Sequence, residues 1–262
     1  MRSMIYEIQC FKVGESDVPG PEVYWQQNWN TWETLYFTIV LIRGAGKTIL
    51  INTGPPADLT RLNRFWVAGY GDPRGAMRRS PHEAPENVLR AAGVEPTRVD
   101  YVLLTPLQAY ATANVHLFPK ATICISRRGW IEDFHAPVWP MPVPRDLRIP
   151  NDVLVYLETK AWERVHLLED DEQILPGIRA RWVGTHHRST MAFLVDTAAG
   201  VVAISDCFFK YPNFEHNIPL GLQEGGIEEC LRSYELIRRS ANLIVPLYEP
   251  EVFKRHTGGR IS

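Results

Sequence analysis

The chain has 262 residues, of which 45% are hydrophobic, and this is enough for one large α/β domain with a full core. A net charge of -2 and a pI near 6.5 give no basic surface that would favour nucleic acid. The apolar runs are strand-sized and residues 1–9 contain no apolar signal core, so neither a membrane helix nor a secretory signal is predicted. We expect a single cytoplasmic domain over residues 1–262 that binds a small molecule, not nucleic acid or membrane; a homodimer stays open.

The four cysteines are far apart in the sequence and form neither a CxxC pair nor a zinc knuckle. They are Cys10, Cys124, Cys207 and Cys230. Such spacing in a chain without a secretory signal is typical of free thiols in a cytosolic protein.

The first hundred residues alternate strand-like and helix-like segments. Residues 19–34 form an aromatic loop with Trp25 and Trp29, which either covers a sheet edge or forms an apolar wall of a pocket. The hairpin signal Gly44-Ala45-Gly46 joins two strands. The predicted elements are a strand over residues 4–13, strands Thr34–Arg43 and Lys47–Asn52, a short helix over 57–66 and a helix over Ala84–Ala92.

The next segment contains a buried strand that ends abruptly. Asp100–Thr105 has a short apolar run, and Pro106 cannot continue a hydrogen-bonded ladder. A second apolar run follows at Ala121–Ile125. The strand Lys47–Asn52, the helix Ala84–Ala92 and the strand Asp100–Thr105 follow one another in the order that predicts a right-handed βαβ unit.

The second half begins with a helix start over Ser126–Phe134 and a proline-rich insertion over residues 135–150. A long ordered loop of this kind is either a surface loop or a lid. The predicted elements after it are strands Asp152–Leu157, Val165–Leu168 and Ile178–Val183 of a second sheet, strand Val201–Ser205, helix Glu224–Ser240 and strand Leu243–Pro246.

The segment from Asp100 to Arg128 resembles the metal-binding loop of the metallo-β-lactamase superfamily, especially its acyl-homoserine-lactone lactonase branch. The frame of that loop is present as Thr105, Asn114, Phe118-Pro119, Ala121 and Arg127-Arg128. The ligands of that loop are replaced. Its three histidines fall on Pro106, Gln108 and Ala111, and its aspartate falls on Tyr110.

The resemblance continues to about residue 253 and begins at about residue 34. His186 falls on the fourth histidine of the superfamily and Asp206 on its bridging aspartate, whereas the fifth histidine has become Tyr248. The tyrosine that the lactonases carry after the bridging aspartate is Phe209, and Asn52 replaces an aspartate near the metals.

The resemblance implies an α/β fold, a metallo-β-lactamase-like αβ/βα four-layer sandwich. It also implies a cavity at the strand ends. Proline and alanine cannot bind a metal, and glutamine and tyrosine are poor substitutes for imidazole at zinc. We therefore predict that no dinuclear zinc centre forms and that no cofactor is required, with a single divalent metal as the alternative.

Two residues remain at matching positions, and they suggest acid–base chemistry. His186 as general base and Asp206 as its orienting acid are the predicted pair, unless they are a vestige of the metal site. Tyr110 and Tyr248 either donate hydrogen bonds to an oxyanion or fill the volume left by the metals. The predicted substrate-binding residues are Gln108, His187, His116, Phe209, Trp25 and Trp29.

Three functions are compatible with this pattern. The first is a metal-independent hydrolase or lyase that acts on a small lactone-, ester- or ring-containing molecule. The second is a catalytically inactive pseudoenzyme that binds a ligand or partner. The third is a mononuclear metal hydrolase that uses His186 and Asp206 together with relocated ligands such as His187, His116 or Glu249.

Overall fold

A computed structural model describes residues 5–137 and 143–261 of the chain. The middle of the proline-rich insertion, residues 138–142, lies outside the described residues, and so does the start of the predicted first strand. Among the described residues, no helix combines the length and the apolar character that crossing a bilayer would require. The four cysteines are free, as predicted, and the structure shows that all four are buried.

The first sheet has six strands in sequential order. Its first two strand pairs are antiparallel and the remaining pairs are parallel. The strands are β1 (Glu7–Pro19), β2 (Trp32–Gly44), β3 (Lys47–Ile51), β4 (Tyr101–Leu103), β5 (Thr122–Ser126) and β6 (Val165–Leu168).

The second sheet has five strands in the order β11-β10-β9-β8-β7, and only the pair β10–β11 is parallel. The strands are β7 (Asp171–Leu175), β8 (Ile178–Trp182), β9 (Met191–Thr197), β10 (Gly200–Ser205) and β11 (Leu243–Pro246). Hydrogen bonds tie the two halves together: for example, Thr38 Oγ1 donates to the carbonyl of Leu247 at 2.7 Å, and Tyr6 N donates to that of Asp196 at 2.9 Å.

Helices connect and cover the two sheets. They are α1 (Gly20–Val23), α2 (Thr60–Tyr70), α3 (Pro85–Ala91), α4 (Ala109–Thr112), α5 (Arg127–Gly129), α6 (Asn151–Glu158), α7 (Tyr211–Glu215), α8 (Ile227–Ser240) and α9 (Val252–Arg255). A π-helical turn, Trp130–His135, extends α5. The amphipathic helix α8 buries Cys230, Tyr234 and Ile237. Because it connects two parallel strands, it is the crossover that such a pair requires.

The predicted α/β sandwich of two mixed sheets is confirmed, as is the βαβ unit formed by β3, α3 and β4. Both sheets bury continuous apolar residues, such as Ile39 and Leu50 in the first sheet and Phe193 and Ile204 in the second. Such burial on both faces is expected for sheets covered by helices outside and by each other inside.

Three element predictions were wrong. Asp152–Leu157 is not a strand but part of helix α6, in which Val153 and Leu157, four residues apart, are the buried residues. Val165–Leu168 is a strand, but it forms the edge of the first sheet rather than part of the second. The last long helix begins at Ile227, so Glu224 lies in the loop before it.

Candidate active site

A cavity of about 620 Å³ opens where the ends of several strands meet. Six of the residues predicted for the site line it, and the seventh, Asp206, lies directly behind His186. The six are Gln108, Tyr110, His186, His187, Phe209 and Tyr248. The fold therefore brings together predicted residues from four separate segments.

Three predicted substrate-binding residues do not line this cavity. The backbone of Gln26 and Asn28 is left-handed, which turns the aromatic loop back on itself and leaves Trp29 70% exposed. Trp25, which lies before this turn, is 37% exposed. His116 is exposed on a 3-10 turn, where it borders a separate shallow groove.

His186 and Asp206 form a buried, directly hydrogen-bonded pair. Nδ1 of His186 lies 3.0 Å from Oδ2 of Asp206, and the two side chains are 3% and 0% exposed. The carboxylate also accepts hydrogen bonds from the hydroxyls of Thr105 at 2.5 Å and Thr190 at 2.9 Å. Three donors from two segments thus fix the carboxylate, which in turn fixes the ring plane of His186.

The electrostatic environment keeps His186 neutral. Burial and the neighbouring His187 lower its pKa to about 4, although the hydrogen bond to Asp206 acts in the opposite direction. A neutral ring beside a carboxylate donates from Nδ1–H, which leaves Nε2 with an unprotonated lone pair. Because no described residue bonds to Nε2, this lone pair is available to a molecule in the cavity.

The turn that carries His186 is fixed by helix α8. Gly184 and Thr185 have left-handed backbones, with φ of 56° and 68°. The latter conformation is unfavourable for a β-branched residue. Glu229 of α8 holds this turn by accepting from Thr185 N at 3.0 Å and from Arg188 Nη1 at 2.6 Å. The helix therefore maintains the strained backbone that presents His186 to the cavity.

A second ionisable group lies next to the pair and was largely missed by the sequence prediction. His187 Nδ1 lies 3.0 Å from Glu224 Oε1. Burial lowers the pKa of His187, but the hydrogen bond and charge of Glu224 outweigh it and raise that pKa overall. Burial likewise opposes ionisation of Glu224, but His187 lowers the pKa of this carboxyl to about 2. We conclude that the two form an ion pair at neutral pH.

Asp133 completes this group from the π-helical turn. Burial raises its pKa, and it accepts hydrogen bonds from the backbone and hydroxyl of Ser189. Asp133, His187 and Glu224 offer ligand atoms that all lie within 4.8 Å of one another, which makes them the one set in the described chain that could surround a metal ion. These groups already bond within the protein, because Nδ1 of His187 is paired with Oε1 of Glu224.

Neither carboxylate gave a clear signal in the sequence. Glu224 was assigned to the start of a helix, and Asp133 to another helix start. A single acidic residue near a predicted helix start is too common to indicate a site. Glu224 and Asp133 come close together because both accept hydrogen bonds from the backbone of the turn of residues 184–190.

Several buried polar atoms on the cavity wall lack hydrogen-bond partners. They are Ser16 Oγ, Gln108 Nε2, Asp133 Oδ1, Gln223 Oε1 and Tyr248 Oη, five of the seven such atoms in the described chain. Leaving a buried polar group unpaired costs about 1–3 kcal/mol, so unpaired groups rarely gather by chance. Because they gather around one cavity, these groups can hydrogen-bond to water or to a polar molecule bound there.

An aromatic wall runs along the cavity from His186. The ring of Tyr248 lies 6.0 Å from that of His186 and 5.6 Å from that of Phe37. Phe37 also stacks on Trp66 at 5.7 Å and contacts Tyr110 at 5.1 Å. Burial raises the pKa of Tyr110 and Tyr248 well above the ordinary value, so both hydroxyls stay protonated and can donate.

No protein-family model and no curated protein sequence matches the chain. Solved structures do match. An N-acyl homoserine lactone hydrolase with product at its catalytic metal centre has 16% identity, covers 96% of each chain and gives a TM-score of 0.77. The dizinc quorum-quenching lactonase AidC has 12% identity, covers 99% of this chain and 91% of its own, and gives 0.66.

A third match is the hydrolase AbOPH of the β-lactamase superfamily. It has 13% identity, covers 99% of this chain and 92% of its own, and gives a TM-score of 0.62. These identities are low, but the two-sheet architecture is shared over nearly the whole chain. The fold expected from the resemblance, that of the metallo-β-lactamases, is therefore confirmed.

Proposed function

We propose that this protein is a hydrolase that opens a lactone or another activated ester with a histidine base instead of a dinuclear zinc centre. The observation that carries this proposal is the buried pair of His186 and Asp206, whose histidine is neutral and faces the cavity. A neutral imidazole oriented by a fixed carboxylate is the arrangement that general-base catalysis needs.

The proposed reaction uses only groups on the cavity wall. Nε2 of His186 takes a proton from a water molecule while the water oxygen bonds to the carbonyl carbon. The carbonyl electrons move to oxygen, where Tyr248 Oη and Gln108 Nε2 donate hydrogen bonds. When the tetrahedral intermediate collapses, the leaving alkoxide takes the proton from Nε2, and Asp206 stabilises the imidazolium in between.

The low pKa of His186 limits the substrates that we propose. A base with a pKa of about 4 is fully available at neutral pH but is weak, so it favours a reactive carbonyl. Strained lactones and aryl esters have such carbonyls, whereas amides do not. The aromatic wall formed by Phe37, Trp66 and Tyr110 suits an apolar or ring-shaped body on the substrate.

The chemistry of the available donors does not fit a dinuclear metal centre. Tyr110 and Tyr248 stay protonated, and Pro106 and Ala111 offer no side-chain ligand. Asp206 is already bonded to two hydroxyls and to His186. We therefore route no step of the proposed reaction through a metal.

The decisive experiment is turnover of a panel of γ- and δ-lactones and phenyl esters by purified protein and two variants. We expect His186→Ala to abolish turnover and Asp206→Asn to reduce it by about 10⁴-fold, because an amide cannot stabilise the imidazolium. His116→Ala, an exposed histidine outside the cavity, is the matched control and should leave turnover unchanged.

Two outcomes would contradict the proposal. Unchanged turnover in His186→Ala would show that His186 is not the base. Binding of lactones without turnover by the unmodified protein would instead favour the pseudoenzyme.

A further inference from the structure

The cavity has a second polar end, formed by Ser16, Glu22 and Tyr70. It is reached along the sheet from the catalytic residues. Phe37 contacts Tyr248, and Leu35 lies two residues earlier on the same face of β2, which is roughly 7 Å along the strand. Ser16 pairs with Leu35 across the sheet, so the second polar end lies beyond the aromatic wall as seen from His186.

Glu22 is a carboxylate without a cationic partner. Tyr70 Oη donates to Glu22 Oε2 at 2.8 Å, and no lysine, arginine or histidine within residues 5–137 and 143–261 forms an ion pair with it. Burial raises the pKa of the carboxyl. Burial and the charge of Glu22 also raise the pKa of Tyr70, so the phenol stays neutral and cannot supply a compensating charge.

Ser16 provides a second and independent indication of a ligand. Its side chain is fully buried, and its Oγ lacks a hydrogen-bond partner although the residue lines the cavity. Neighbouring Glu15 and Asp17 point to the other face of β1 and form ion pairs there with Arg78. A serine hydroxyl kept on the cavity face without a partner is expected where a ligand supplies one.

The other charged groups on the wall are already balanced. His187 pairs with Glu224, Arg188 pairs with Glu132, and Asp133 lies 3.5 Å from the buried Arg148. Glu22 is the remaining carboxylate on the wall. The cavity therefore has an unbalanced negative charge at its second polar end, which disfavours an anionic ligand there and favours a cation.

We propose that Glu22, Ser16 and Tyr70 bind the ammonium group of a ligand whose other end carries the carbonyl at His186. An ammonium can pair with Glu22 and donate to Ser16 Oγ, while the rings of Trp66 and Tyr70 line the same space. A hydroxyl could bond to Ser16 but would leave the carboxylate uncompensated. The substrate class is then an amino-substituted lactone or ester, and this assignment of the carbonyl end rests on the proposed function.

The second polar end is rigidly built. The carbonyl of Glu22 accepts from the backbone of Gly221 at 3.1 Å and of Leu222 at 2.8 Å. A Cβ on Gly221 would lie 1.5 Å from the carbonyl oxygen of Pro21, so only glycine permits this close approach. Helix α1 is thereby fixed against the loop of residues 219–222, and Glu22 needs little rearrangement to bind a ligand.

The test compares three stable probes by isothermal titration calorimetry: N-(6-aminohexyl)acetamide, N-(6-hydroxyhexyl)acetamide and N-hexylacetamide. All three probes have a carbonyl at one end. They differ only at the other end, which carries an ammonium group, a hydroxyl or no polar group. We expect the ammonium probe to bind about tenfold more tightly than both neutral probes, since a desolvated charge pair contributes more than a neutral hydrogen bond. Equal binding of the three probes would overturn the proposal.

Two variants test whether Glu22 causes the preference for the ammonium probe. Glu22→Gln keeps the size of the side chain and its bond from Tyr70, and should abolish the preference for ammonium. Glu15→Gln, next to Ser16 on the outer face of β1, should preserve it. An ammonium preference that survives Glu22→Gln would overturn the assignment.

The measurements are repeated in a His186→Ala background. There the ammonium preference should persist without any turnover. Loss of turnover alone therefore tests the proposed reaction, whereas loss of the ammonium preference tests the second polar end.

Discussion

At the scale of single residues, the protonation of His186 governs the proposed reaction. Burial lowers its pKa to about 4, and the groups facing it are His187, Asp206, Glu224 and Tyr248. Protonation removes the base, so activity is present above this pKa and is lost as the pH falls through it. An ordinary histidine would lose activity near pH 6.5.

We predict that kcat/KM stays level down to about pH 5 and falls near the pKa of about 4. His187→Gln should move this acid limb to higher pH, because the positive charge of His187 is one of the causes that lower the pKa of His186. The measurement is a pH–rate profile for both proteins. An acid limb near 6.5 in the unmodified protein would show that His186 is not held neutral.

Tyr248 combines a cost in stability with a proposed role in catalysis. Its buried hydroxyl lies against the phenol of Tyr110 and has no other partner in the described chain, so its removal should change the stability of the fold little. We predict that Tyr248→Phe lowers kcat by about 10²-fold, the usual effect of removing one oxyanion donor. The free energy of unfolding should stay level or rise.

Tyr211→Phe is a matched control for this variant. Tyr211 also has a buried hydroxyl without a partner, but it does not line the cavity. It should therefore keep full activity with similar stability. Equal activity of the two variants would show that the Tyr248 hydroxyl does not contact the reacting carbonyl.

At the scale of elements, the site depends on close packing between α5 and the turn of residues 184–190. A Cβ on Gly129 would lie 2.3 Å from Ser189 Cα. Ser189 bonds to Asp133 and accepts from Leu107 N at 2.9 Å, so it connects three segments of the cavity wall. Displacing it should disturb the neighbouring His187 and His186 as well.

We predict that Gly129→Ala destabilises the protein by about 1–3 kcal/mol, the usual cost of overpacking, and lowers activity. Gly69→Ala is the control, since a Cβ there has nothing within 4 Å and the residue lies in helix α2. This second variant should stabilise the protein by roughly 0.5–1 kcal/mol. Denaturant unfolding measures both; a neutral Gly129→Ala would contradict the packing argument.

The success of the sequence predictions also differs between elements. Strands such as β4 and β10 are short apolar runs bounded by breakers, and their ends correctly placed Asp206 and Thr105. The segment of α6 misled because Val153, Val155 and Tyr156 favour strands, whereas the four-residue spacing of Val153 and Leu157 suits a helix. In this segment the burial of one helical face outweighed the strand propensity of the individual residues.

At the scale of the whole molecule, the order of elements and the frame residues were enough to predict the two-sheet fold. The composition of the cavity was not predictable to the same degree. Ser16, Glu22, Asp133 and Glu224 come from segments that no local pattern connects, and tertiary packing alone brings them to one wall. Trp29 and His116 lie on two turns that direct them away from the cavity, and residue propensities do not determine the direction of a turn.

Metal content is a property of the whole molecule. The proposed reaction uses no metal, so we expect the metal content to be low. Apart from His187, which is paired with Glu224, the donors around His186 are protonated phenols, an amide and a carboxylate that already accepts hydrogen bonds from Thr105 and Thr190. None of these competes with imidazole for zinc. We predict that protein purified without added metal contains no stoichiometric zinc, and that a chelator changes neither its activity nor its melting temperature.

Elemental analysis before and after treatment with EDTA tests this, with His187→Ala as the informative variant. Two ions per chain would contradict the absence of a dinuclear centre. One ion per chain that is lost in His187→Ala would place a mononuclear site at Asp133, His187 and Glu224, whose ligand atoms lie within 4.8 Å of one another. In that case the bound ion would stabilise the folded chain, so chelation would also lower the melting temperature, which the metal-free mechanism does not allow.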